Sequence, residues 1–248
     1  MTFLCIRAEA AKLRRSIIWL ACLLLPIIPA IMGVFNYQSN LGILTNGWYS
    51  LWSQVTLFYS NFFYAPLIAL YAAYLWRMEH MDHNWNVLMT VPVGVSDIFF
   101  GKLAVILFVT VLTQMIIFIF YFIGGKFCGL SGLPPAEIFF WLLRGSLAGT
   151  AIGSLQLLLS MCIRSFALPI GIALLGSVMG LVISGFHAGE ISLGLCWPYS
   201  LMLMGMNANR DTDTLAGNSL PFVGCVVLFF LLFTWIAVHR LKTRDVQA

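Results

Sequence analysis

Apolar residues fill this chain in six long blocks separated by polar connections, and within each block they run on continuously instead of alternating with polar ones. A helix needs about 20 predominantly apolar residues to cross the hydrocarbon core of a bilayer. The blocks at roughly 17–35, 57–76, 103–124, 138–161, 166–186 and 220–239 meet that requirement. A membrane barrel would show a period of two, and none is present, so helices are left to satisfy the backbone in lipid. The pattern predicts an all-α integral membrane protein of six transmembrane helices.

Composition removes the soluble alternative. The chain is 61% hydrophobic and 9% charged, with a mean hydropathy of +0.95, whereas soluble domains carry about a quarter charged residues. Its 13 basic and 9 acidic side chains cannot cover a soluble surface while hiding so much Phe, Leu, Ile and Trp.

The first block follows Arg7, Lys12, Arg14 and Arg15, as a secretory leader would. It is long, contains Pro26 and Pro29, and is followed by no small-residue cleavage site, so it reads as a retained span. Ahead of it, "MTFLCIRAEAAKLRRS" sets Phe3, Leu4, Ile6 and Ala10 near one helical face. That predicts an interfacial elbow helix over residues 1–16, with a disordered basic tail as the alternative. Residues 17–248 then form a single six-span domain.

Charge gives the orientation. Six spans put both termini on one side, together with Arg7, Lys12, Arg14, Arg15, Arg77, Lys102, Arg164, Arg240, Lys242 and Arg244. The other side has Lys126 and Arg210, and Arg144 lies within the fourth span. By the positive-inside rule both termini are cytoplasmic. This asymmetry accounts for most of the net charge of +4, and no basic run interleaved with aromatics suggests nucleic acid.

The six cysteines have no CxxC or metal-ligand spacing and read mainly as packing residues. Cys128 and Cys196 both fall near the outer side, and sequence leaves open whether they pair. Catalytic signatures are absent: there is no GxSxG, HExxH or P-loop. In "EHMDH", His80 and His83 at helical spacing beside Glu79 and Asp82 raise a metal site. A solvated helix face is the reading taken, and no metal is expected.

Polar residues inside the spans are few, and they are the candidates for a substrate path: Gln114, Arg144 and Gln156. That scarcity argues against an ion-coupled transporter. Arg144 is read chiefly as snorkelling to the outer interface. Of the outer connections, 36–56 and 187–219 are too short for a folded domain, and "LGLCWPYSLMLMGM" in the second suggests a segment that dips back toward the bilayer. Gly145, Gly149 and Gly153 on the fourth span, and Gly176 and Gly180 on the fifth, recur at intervals of four and predict close helix packing, within the chain or with a second subunit.

The polar stretch "RMEHMDHNWNVLMTVPVGVSDIFFGK" between the second and third spans, preceded by the basic "AEAAKLRRS", resembles the membrane subunits of type-2 ABC exporters. Glu79, Trp85, Pro92, Gly101 and Lys102 match that family's loose motif. Within it, a length near 250 residues without a large outer domain is most similar to permeases that protect lantibiotic producers and resistant bacteria.

The resemblance implies a coupling segment, 77–97, whose short cytoplasmic helix docks on a separate dimer of ATP-binding subunits. ATP and Mg would sit there, and this chain would bind no cofactor. A helix from about Glu79 to Met89 offers Trp85, Leu88 and Met89 as apolar anchors near Glu79 and His80. Pro92 and Gly94 would end it, and Ser96 or Asp97 would cap the next helix. Further implications are a second permease subunit, identical or related, and a place in the bacterial cell membrane. The substrate would be a lantibiotic or similar amphipathic antimicrobial peptide expelled from the membrane lipid, with a lipid or hydrophobic drug as the alternative. A non-transporting scaffold is the rival class.

Overall fold

The computed structural model describes residues 1–14, 16–81, 92–188, 191–208, 210–216 and 219–243. Six helical stretches among them are long and apolar enough to cross a membrane, as the hydrophobic blocks require. Ahead of the first lies α1 (Thr2–Leu13). The first span is divided into α2 (Ile18–Leu24) and α3 (Ile27–Ser39). Pro26 sits at the break, where its missing N–H interrupts the ladder.

The second span is longer than its apolar block. It comprises α4 (Trp48–Phe58), a π-helical turn (Tyr59–Phe63) and α5 (Tyr64–His80). Residues 48–56, expected in an outer connection, are therefore helical. Their polar side chains mask this in the sequence because they bond back to their own helix: Ser53 donates to the Ser50 carbonyl at 2.8 Å and Thr56 to the Trp52 carbonyl at 2.7 Å. Ser60 and Asn61 continue the pattern into the π turn, donating to the Thr56 and Leu57 carbonyls.

The remaining spans are α6 (Val95–Phe127), α7 (Glu137–Cys162), α8 (Ala167–Ser184) and α10 (Ser219–Thr243). Helix α6 begins after Gly94, whose extended backbone makes it the N-cap. Ser96 and Asp97 thus fall inside the first turn and not at the cap. Asp97 is well placed there, since an acid in the first turn faces the positive end of the helix dipole.

Between α8 and α10, His187–Ala188 pairs antiparallel with Ile191–Ser192, and a 3-10 turn (Leu193–Cys196) leads to α9 (Ser200–Gly205). This segment folds into the bundle: Leu201 and Met202 are fully buried, and α9 packs on α7 and α8. Asn207 then takes a positive φ of 50° to turn the chain out again. Among the described residues Cys128 and Cys196 are not joined in a disulfide.

The second span is the centre of the bundle. Two thirds of its apolar window is buried, 67%, against 22% for α10, which leaves α10 as a peripheral helix. α5 packs on both α7 and α8, α3 and α4 form a hairpin, and α10 lies along α7.

The glycine stripes are filled from within the chain. A Cβ on Gly145 would stand 2.4 Å from Met206 Cγ, one on Gly149 2.8 Å from the Tyr64 hydroxyl, and one on Gly176 2.5 Å from the Tyr199 ring. Gly180 faces the Ser200 backbone at 2.9 Å. Gly153 has no such neighbour, its nearest side-chain atoms lying at 3.6 Å.

Candidate coupling site

The polar connection between the second and third spans joins the end of α5 to the start of α6. Trp85, Leu88 and Met89, the expected anchors, lie outside the described residues, as do Asp82 and His83. What the structure shows is how both flanks of the connection are held.

Lys102 is the eighth residue of α6, one turn or more inside an apolar helix, and none of its surface is exposed. A buried ammonium requires acidic partners. Its Nζ donates to Glu79 Oε1 at 2.9 Å and to Glu9 Oε2 at 3.0 Å, and lies 4.8 Å from the Trp76 ring centroid. Lys12 completes a quartet by pairing with Glu9 at 2.7 Å and with Glu79. Two carboxylates and two ammonium groups cancel, with Glu9 and Glu79 only 4% and 5% exposed. Burial opposes the Lys12 charge, but Glu9 and Glu79 more than offset it and hold that ammonium above the usual lysine range.

This quartet joins three helices. Glu9 and Lys12 come from α1, Glu79 from α5 and Lys102 from α6. Gly101 permits the contact: a Cβ there would lie 2.8 Å from Cys5 Cβ and 3.2 Å from the Cys5 carbonyl carbon, so a side chain would lift α1 off α6. Thr2 adds a hydrogen bond to the Asp97 carboxylate, tying the start of α1 to the first turn of α6.

Two further contacts clamp the end of α5. His80 Nε2 bonds the Ser160 carbonyl at 3.0 Å, which links it to α7. The Arg77 guanidinium lies 5.3 Å from the Phe166 ring centroid, at the entrance to α8. Glu79 and His80, expected near a partner subunit, are thus engaged within the bundle. Pro92 is exposed beyond the quartet.

The three intramembrane polar residues do not converge on one site. Gln114 donates to Met206 Sδ at 3.6 Å, Gln156 to the Tyr199 hydroxyl at 2.8 Å, and Arg144 Nη2 pairs with Asp213 Oδ2 at 2.6 Å. All three grip the segment from Tyr199 to Asp213, two from α7 and one from α6. Trp52 Nε1 holds the same segment at the Met206 carbonyl, 2.9 Å away. At the tip, Asp211 accepts from Asn46 and Ser50, both at 3.0 Å.

Sequence reasoning missed Glu9 and Lys12 as site residues. In the sequence Lys102 falls just outside the apolar block at 103–124, and only the start of α6 at Val95 places it inside a helix, where a buried lysine calls for acids nearby.

Groups of three or more His, Cys, Asp or Glu able to hold a metal are absent among the described residues. No curated protein matches the sequence closely enough to count as a relative. The profile of the ABC-2 family transporter proteins matches residues 5–180, which covers most of α1, the quartet, both flanks of the polar connection, the first four spans and most of the fifth. The chain belongs to the ABC-2 family of transporter proteins, as a multi-pass membrane subunit.

Proposed function

We propose that this chain is the permease of an ATP-driven exporter, and that the connection within 77–97 is the seat of a separate ATP-binding subunit. The observation that carries the reading is the quartet. It fastens both flanks of a polar connection to the bundle through α1, α5 and α6, so force applied to the connection passes directly into three helices. Trp85, Leu88 and Met89 supply the apolar contact with the partner, and Glu79 and His80 hold the base of the connection in place.

The drive is external to the chain. No ionised side chain of the six spans lies more than eight residues from a helix end, and an ion-coupled transporter needs titratable groups near the midplane. ATP and Mg belong to the partner, and a second permease, identical or related, completes the path. The substrate we favour is an amphipathic antimicrobial peptide of the lantibiotic type, taken from the lipid of a bacterial cell membrane and expelled. The scarcity of charge in the spans supports a substrate drawn from lipid.

Both termini are cytoplasmic in this reading. Impermeant maleimide on intact cells then labels the exposed Cys196 and spares the exposed Cys162 until the membrane is opened. Purification from native membranes brings with it a P-loop subunit. The reverse labelling, or purification without an ATPase, contradicts the proposal.

A further inference from the structure

The sequence of α1 mixes acid and base, and the fold sorts them. Its one acid, Glu9, is turned inward to Lys102 and Lys12. Opposite, Phe3 and Leu4 are 69% and 60% exposed, and Arg7 and Arg14 are exposed on the same outward side. Positions 3, 7 and 14 follow helical spacing, so an aromatic ring and two guanidinium groups share one stripe. Neither arginine forms an ion pair among the described residues.

Four residues separate Leu13 from the first residue of α2, Ile18. That is too short a tether to carry α1 far from the membrane surface. At the start of the first span Ile17, Leu20 and Leu24 are likewise exposed, at 75%, 52% and 46%. We infer that the outward face of α1 is an anchor for anionic lipid headgroups, with Phe3 and Leu4 entering the acyl boundary and Arg7 and Arg14 binding the phosphates. Apolar insertion beside arginine is the composition of an interfacial helix. Each arginine at an anionic surface contributes about 1 kcal/mol. Lipid charge therefore fixes the same helix that holds Glu79 and Lys102, while the inward quartet stays neutral and indifferent to it.

The test is hydrogen exchange of residues 2–14 in the full chain, reconstituted in nanodiscs of phosphatidylcholine alone or with phosphatidylglycerol. Exchange should slow by up to about thirty-fold with the anionic lipid, the effect of two such arginines. In Arg7→Gln/Arg14→Gln, both exposed positions, the two nanodiscs should give the same rates. Equal rates for the wild type, an anionic-lipid effect that survives in the double variant, or protection that arises only when a protein partner is added would each overturn the inference. No ATP-binding subunit is needed, so failure here leaves the exporter proposal standing.

Discussion

Glu79 and Lys102 close an ion pair of 2.9 Å across the mouth of the polar connection, 23 residues apart in the chain and almost wholly out of water. Removing one member of such a pair leaves the other buried and uncompensated, at a cost of about 3–5 kcal/mol. Lys102→Met should lower the thermal stability of the detergent-solubilised protein accordingly. Adding Glu9→Gln leaves Glu79 paired with Lys12 and should recover part of the loss. A double variant less stable than Lys102→Met would refute the quartet as a charge-balanced unit.

Small residues on α7 and α8 should differ sharply in tolerance. Gly145→Ala and Gly176→Ala drive a methyl to within 2.5 Å of Met206 and Tyr199 side chains, respectively. Overpacking of this kind costs about 1–3 kcal/mol. Gly153→Ala meets its nearest neighbours at 3.6 Å and should be neutral or slightly stabilising. Melting temperatures of the three variants, measured side by side, test whether the stripes are packed inside one chain.

The hydroxyls of two tyrosines make a paired prediction. Tyr71 bonds Thr113 at 2.8 Å, whereas the fully buried Tyr59 hydroxyl, on the π turn, has no hydrogen-bond partner among the described residues. An unmade buried hydrogen bond costs about 1–3 kcal/mol. Tyr59→Phe should therefore leave stability unchanged or raise it, and Tyr71→Phe should lower it. Calorimetry that ranks them the other way would contradict the described packing.

How far the sequence foretold this arrangement depends on range. Continuous apolar runs were sufficient for six helices, because lipid leaves the backbone no other option. Residues 48–56 escaped because Ser53 and Thr56 read as loop chemistry, although each bonds within its own helix. The glycine spacing of α7 announced close packing without naming the side chains that fill it. Gln114, Arg144 and Gln156 looked like parts of one path, yet each grips a different point of the segment 199–213, a grouping that only the folding of α9 into the bundle creates. Glu9 and Lys102 lie 93 residues apart, and no periodicity links positions at such separation.

Acid should loosen the end of the bundle that holds Asp213. Burial works against the charge of Asp213, but the Arg144 guanidinium and the Leu215 backbone N–H hold its carboxyl below the usual range. A carboxyl depressed in the folded state stabilises above its unfolded value of about 3.9 and loses that contribution as pH falls through the folded one. The pair is partly exposed, which limits its worth to about 1 kcal/mol. The melting difference between wild type and Asp213→Asn should be steady from pH 7 to pH 5 and close on acidification below about pH 4. A difference that persists at the acid end would show that the carboxylate is not its source.

The central claim is that ATP hydrolysed elsewhere acts on this bundle through the connection between α5 and α6. Its most direct test is the ATP hydrolysis of the purified complex in lipid, with and without the antimicrobial peptide, for the wild type and for Trp85→Ala. The account predicts peptide-stimulated hydrolysis in the wild type. It also predicts that Trp85→Ala loses the stimulation by tenfold or more while the permease remains folded, since an aromatic anchor at an interface contributes about 2 kcal/mol or more. Unaltered stimulation in Trp85→Ala would contradict it.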